Sequence, residues 1–84
     1  TLPEDDMAYI GPGSSDGAVR LVQRCLVNEG KAAGRPSASL AVDGDYGPKT
    51  TEAVRAYQSG RVHTQQPGLV DGVTAALLFR WENR

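Results

Sequence analysis

Apolar residues recur with a helical period in three stretches, each fenced by residues that start or stop helices. Ala18, Leu21, Val22, Cys25 and Leu26 fall at i, i+3, i+4, i+7 and i+8; Val19 widens the face, and Arg20, Gln23 and Arg24 occupy the other side. This is the stripe of an amphipathic helix laid on a core. Ser15 and Asp16 are suited to cap its N-terminus, and Gly30 is placed to end it in a left-handed conformation. The pattern predicts a helix over 16–29. Thr50, Ala53, Val54 and Tyr57 repeat the spacing after Gly47-Pro48, with Lys49, Glu52 and Arg55 outward and Ser59-Gly60 closing the stretch. Proline suits a first helical turn, where its missing N–H has no intrahelical partner, so a second helix is predicted over 48–58. A third is predicted over 75–82, capped by Thr74. Its residues Ala75, Ala76, Leu77, Leu78, Phe79 and Trp81 make it apolar nearly all round, as in a short helix wedged between other elements.

The intervening segments read as loops. Residues 31–41 hold glycine, proline and small polar side chains, and Leu40 and Val42 suggest a very short extended piece. Residues 60–68 are polar and include Pro67 and Gly68. Ahead of the first helix, residues 1–13 read as an extended arm before a domain spanning 14–84; Met7, Tyr9 and Ile10 would dock it, and Glu4, Asp5 and Asp6 would stay solvated. One tripeptide occurs twice: Val42-Asp43-Gly44 returns as Val70-Asp71-Gly72, each copy after a loop and before a helix. Asp-Gly favours a tight turn, because glycine tolerates positive φ and the aspartate accepts from backbone N–H groups just ahead. Carboxylates near helix N-termini are also favoured electrostatically. The echo therefore has a structural explanation that needs no ligand.

Composition narrows the function classes. The chain has 84 residues, 39% hydrophobic and 23% charged, with a formal net charge of −1. That is one small domain, with no apolar run long enough to cross a membrane and no basic excess for nucleic acid. Thr1 at the start fits a processed chain or a piece of a longer one, and no basic segment followed by an apolar run marks a signal peptide. A single cysteine excludes an internal disulfide. Cys25 on the apolar stripe is expected to be a buried, unreactive thiol. One histidine and one cysteine fall short of a zinc site, so no metal or other cofactor is expected and His63 reads as a surface residue. Asp43 with Asp71 would make an acid–base pair only if their turn-forming roles were set aside. The glycines of 11–17 follow no strand, which excludes a phosphate loop. A helix-turn-helix reading would leave only Lys49 and Arg55 basic on the reading helix, too few for phosphate contacts.

The stretch Val42-Asp43-Gly44-Asp45-Tyr46-Gly47-Pro48-Lys49-Thr50, continuing through Ala53-Val54 to Tyr57-Gln58, resembles the peptidoglycan-binding domain-like family. Its members carry Val-Asp-Gly-x-aromatic-Gly-Pro-x-Thr, then Ala-Val, then aromatic-Gln. Val19, Val22, Gln23 and Leu26 resemble the family's first helix, and Gly68-Leu69-Val70-Asp71-Gly72 resembles the start of its second half-repeat. Two features depart from the pattern. About four residues are missing after Gly72, where the family continues Gly-Pro-x-Thr-Trp, and the loop from Lys31 to Leu40 is long. Relatives of the fold block a metalloprotease zinc with a Pro-Arg-Cys-Gly run, which Gln23-Arg24-Cys25-Leu26 does not match.

The resemblance implies an all-α domain of three helices with two Val-Asp-Gly half-repeats. It also implies a monomeric, bacterial or phage carbohydrate-binding module, secreted or wall-associated, that binds peptidoglycan without cleaving it. Such a module accompanies a wall hydrolase or peptidase, in cis or in trans, and meets neither nucleic acid nor membrane. The alternative is a protein-interaction or inhibitory module acting on a secreted enzyme. A polymer of amino sugars and short peptides calls for an aromatic platform, amides and a cation. Asp45, Tyr46, Lys49, Arg61, His63, Gln65 and Gln66 offer that mixture around the Asp43–Lys49 turn and the 60–68 loop, with no catalytic residue among them.

Overall fold

A computed structural model describes residues 9–64 and 66–82. Glu4, Asp5, Asp6, Met7 and Gln65 lie outside the described residues. The described residues form three α-helices: α1 (Asp16–Ala33), α2 (Pro48–Gln58) and α3 (Gly72–Leu78). Short 3-10 turns span Pro36–Ser39 and Phe79–Trp81. The described residues contain no strand; Ile10 and Val70 form one antiparallel bridge, each N–H donating to the other's carbonyl at 2.8 and 3.0 Å. That bridge fastens the segment ahead of α1 to the body, while Tyr9 remains exposed.

The core gathers the predicted stripes. Val19, Val22, Cys25 and Leu26 of α1 meet Val54 and Tyr57 of α2 and Leu78 of α3, with Tyr46 and Val70 supplied by the connecting segments. Burial pushes the Cys25 thiol up to about 11, in keeping with an inert core position.

The boundary of α1 differs from the expectation. Gly30 does not end the helix; α1 runs on to Ala33, and the terminator is Gly34 at φ 72°. The Gly34 and Arg35 N–H groups both donate to the Gly30 carbonyl, closing the last turn. Gly30 is glycine for a packing reason: a Cβ there would run into Ala38 N and Ser37 Oγ of the Pro36–Ser39 turn. The expected extended piece at Leu40 and Val42 does not become a strand, because no neighbour offers it a ladder.

The start of α3 is also corrected. Asp71, not Thr74, is the N-cap, and its carboxylate accepts from the Thr74 N–H at 2.8 Å. Thr74 is therefore the third helical residue and is fully buried. The α-helix ends at Leu78 and tightens into the Phe79–Trp81 turn. Its burial is one-sided: Thr74 and Leu78 are enclosed, whereas Val73 and Ala76 are exposed.

Candidate functional site

The segment between α1 and α2 is shaped by one side chain. Gln23 is buried on α1; its amide nitrogen lies 3.1 Å from Asp43 Oδ1, 3.0 Å from the Asp45 carbonyl and 3.1 Å from Thr50 Oγ1. Its oxygen accepts the Asp43 and Gly44 N–H groups at 3.0 and 2.9 Å. Asp43 closes the turn by accepting from the Asp45 N–H at 3.0 Å. Hydrogen bonds from that N–H and from Gln23 hold the Asp43 carboxyl below its usual range. Gly44 takes φ 80°, the left-handed value an Asp-Gly turn requires. Arg20 clamps the turn from outside, donating to the Val42 and Asp43 carbonyls while paired with Asp16 at 2.7 Å.

Held in this way, the segment forms two hollows against α2. One, of about 310 Å³, is bordered by Asp43, Asp45, Pro48, Lys49 and Thr50. The other, of about 380 Å³, has Pro36, Leu40, Ala53 and Ala56 as an apolar surface with Arg35, Lys49, Glu52, Ser37 and Ser39 around it. Leu40 and Lys49 border both. Together they present an aliphatic floor with cations, carboxylates and hydroxyls at its edge, suited to a ligand that mixes methyl groups with hydroxyls and amides.

The expected site residues do not all meet here. Asp45 and Lys49 share the smaller hollow. Tyr46 is corrected from an outward platform to a core residue: it is 6% exposed, and its hydroxyl donates to the Gly68 carbonyl. Burial raises its pKa above the usual phenol range. Arg61 belongs elsewhere, donating to the Tyr57 carbonyl at 2.7 Å and to Glu29 at 3.3 Å. His63 and Gln66 are exposed and border neither hollow. Arg35, Leu40, Glu52, Ala53 and Ala56 were not anticipated as site residues. Their sequence signal is faint: an isolated leucine in a polar loop, and a second α2 face at positions 49, 52, 53 and 56.

Among the described residues no three His, Cys, Asp or Glu side chains are grouped to hold a metal ion. No helix there is long and apolar enough to cross a membrane. Asp43 and Asp71 are each engaged in backbone capping, the second with its carboxyl also lowered: burial pushes it up, and hydrogen bonds from Thr74 and Thr64 more than offset this.

Comparison with known proteins agrees with this architecture. Neither a curated protein nor a solved structure gives a significant match. A protein-family model described as "Putative peptidoglycan binding domain" matches residues 15–78, which run from the cap of α1 to the last residue of α3. With most of its length matched and the three expected helices in place, the chain belongs to this peptidoglycan-binding domain family.

Proposed function

We propose that this protein binds bacterial cell-wall peptidoglycan through the two hollows beside Lys49, without cleaving it, and so holds a fused or associated wall-active enzyme at its substrate. The observation that carries the reading is the family match across residues 15–78. The chemistry of the hollows supports it. Leu40, Ala53 and Ala56 offer an apolar surface for an N-acetyl methyl or an alanine side chain, and Lys49, Asp45 and Glu52 offer partners for carboxylates, amides and hydroxyls. The setting is extracellular, at or near the wall. No cofactor takes part.

The test is co-sedimentation with insoluble sacculi. The protein should pellet and release no soluble fragments. One small module binds weakly, at a Kd of ~10 µM to 1 mM, and a repeating polymer offsets this by presenting neighbouring sites for recapture. Retention should survive ~0.5 M salt, because exposed charge–charge attraction is screened there while apolar contact is not. Lys49→Ala should reduce the pelleted fraction and His63→Ala should not. Protein that stays in the supernatant with sacculi of several chemotypes, yet captures a secreted enzyme, would transfer the role to protein interaction. Released muropeptides would refute the non-catalytic assignment.

A further inference from the structure

The larger hollow beside Lys49, of about 380 Å³, lies between the Pro36–Ser39 turn and α2. We propose that it takes a short peptide and not a glycan strand, at a residue that carries a free ammonium together with a carboxylate. The ammonium meets Glu52, the carboxylate meets Lys49, and the adjoining methyl and methylene groups rest on Leu40, Ala53 and Ala56. On the peptidoglycan reading of the previous subsection, and resting on it, the peptide is a wall stem.

Lys49 and Glu52 are three positions apart on α2, so they border the hollow as neighbours on one helix face. Both are exposed, yet they do not pair with each other, and neither side chain has an ion pair or hydrogen bond among the described residues. Helix stability does not account for the placement. Lys49 stands in the first turn of α2, which holds no acidic residue, and a cation there opposes the helix dipole. One open cation and one open anion are left for a ligand with the complementary pair. Arg35 does not join them, because its Nε already donates to Glu29 Oε2 at 3.0 Å.

The opposite wall is set before any ligand arrives. Glu29 is 2% exposed, and its pair with Arg35 ties the entry of the Pro36–Ser39 turn to α1. Gly30 lets Ser37 and Ala38 lie against the α1 backbone, where a Cβ would collide with both. A wall fixed in this way lowers the ordering cost of binding.

The lining narrows the ligand. Among the described residues no aromatic side chain borders this hollow; Tyr57 and Trp81 border a separate one with Arg61 at the C-terminal end of α2. The flat aromatic face on which a sugar ring packs is missing here, and a neutral sugar would leave both charges unused. A simple carboxylate would use Lys49 alone, and a simple amine Glu52 alone. A diamino acid residue in a short, alanine-containing peptide uses both charges and the aliphatic floor. Cross-linking turns the side-chain amine of such a residue into an uncharged amide, so the site favours stems that are not cross-linked.

The whole chain, isotope-labelled for amide NMR, is titrated with L-alanyl-γ-D-glutamyl-L-lysine, with its Nε-acetyl form, with its C-terminal amide and with an N-acetylglucosamine tetramer. Saturable shifts are expected over residues 35–40 and 49–56 for the free tripeptide. Each capped form should bind about three- to fivefold more weakly, the effect of one exposed ion pair. Glu52→Gln should weaken the free tripeptide by a similar factor and leave the Nε-acetyl form as it was, at an unchanged melting temperature. A Glu52 with a merely structural role would weaken both forms alike, which overturns the proposal. Should the variant not fold, the contrast between free and capped peptides in the unaltered protein decides. With sacculi, acetylation of the wall amines should reduce the pelleted fraction. Equal binding of free and capped peptides, or saturable shifts of these residues by the sugar tetramer, overturns the proposal even if the protein pellets with sacculi. Tripeptide binding without pelleting upholds the ammonium–carboxylate site and removes the wall as its source.

Discussion

Gln23 on α1 and Gln58 on α2 each extend a buried amide into the segment that follows their helix, and each also reaches a threonine at the third position of the next helix. Gln23 holds Asp43, Gly44, Asp45 and Thr50. Gln58 accepts from the Gly68 N–H at 2.9 Å and donates to the Leu69 carbonyl at 2.7 Å and Thr74 Oγ1 at 3.0 Å. The two halves differ in what lies between aspartate and helix. After Asp43 come Gly44, Asp45, Tyr46 and Gly47 before α2 begins at Pro48; after Asp71, α3 begins at once. Those four residues make the first half a turn that borders a hollow and sends Tyr46 into the core, and their absence makes the second half a plain cap. The two Val-Asp-Gly copies look equivalent as sequence, but the feature the halves share in three dimensions is the glutamine-to-threonine link.

The most damaging test removes the links. Gln23→Leu keeps a similar volume but leaves the Asp43 and Gly44 N–H groups and Thr50 without their partner. A fully buried unsatisfied group costs about 1–3 kcal/mol; Thr50 is buried while the two N–H groups are part-buried and cost less, so a loss of about 2–4 kcal/mol is expected, a large share of the stability of a small domain. Gln58→Leu strands fewer groups and should cost about 2–3 kcal/mol by the same reasoning. Urea unfolding of both variants checks the order. Equal losses would mean that the richer network of the first half adds no stability.

A milder pair of substitutions separates the Asp-Gly copies. Gly44 needs its positive φ, and a Cβ there would also strike the Asp16 carboxylate that pairs with Arg20. Gly44→Val should therefore cost about 1–3 kcal/mol. Gly72 is the first residue of α3, has no positive φ and has open space where a Cβ would stand. Gly72→Ala should be neutral or stabilise by up to about 1 kcal/mol, because it restricts the unfolded chain without straining the folded one. Matched thermal melts give the answer, and similar destabilisation at both positions would restore the equivalence that the sequence suggests.

What could be read beforehand follows from how local each cause is. The span of α2, the start of α1 and the burial of Cys25 depend on spacing and adjacent caps, and these are legible in order along the chain. Gly30 misled because its role depends on Ser37 and Ala38 arriving against it, a contact between segments that periodicity does not contain. Thr74 misled because two capping side chains stand three residues apart, and only the missing spacer decides that Asp71 takes the role. At the site, Asp45 and Lys49 were accessible from their place beside the turn. Leu40, Ala53 and Ala56 were not, since a hollow is defined by the meeting of two segments. Tyr46, beside the turn, fits either an outward platform or the partly buried aromatic of the family pattern, and its burial is decided only by the approach of Gly68, whose carbonyl accepts from its phenol. Trp81 and Arg61 were assigned to separate elements, and only the fold brings them to one place.

The smallest expected difference lies in acid. Both carboxyls sit below their ordinary value near 3.8 in the folded protein, Asp43 through the Asp45 N–H and Gln23, Asp71 because hydrogen bonds from Thr74 and Thr64 outweigh its burial. A depressed folded pKa means that protonation favours the unfolded chain, so the stability these groups contribute is complete above the unfolded value and lost as pH falls through the folded one. The melting temperature should hold steady from neutrality until the pH nears 4, then decline. Asparagine at either position keeps an acceptor oxygen and removes the titration, so each variant should flatten the decline. Asp71→Asn should flatten it more, because its carboxylate caps the N-terminus of α3 and is less open to water than that of Asp43. Asp43 is exposed, and water screens its interactions. Raising salt should shrink the Asp43→Asn effect and leave most of the Asp71→Asn effect. If the two variants flatten the acid limb alike and respond alike to salt, the turn and the cap are electrostatically the same device, and the contrast between the halves is one of shape alone.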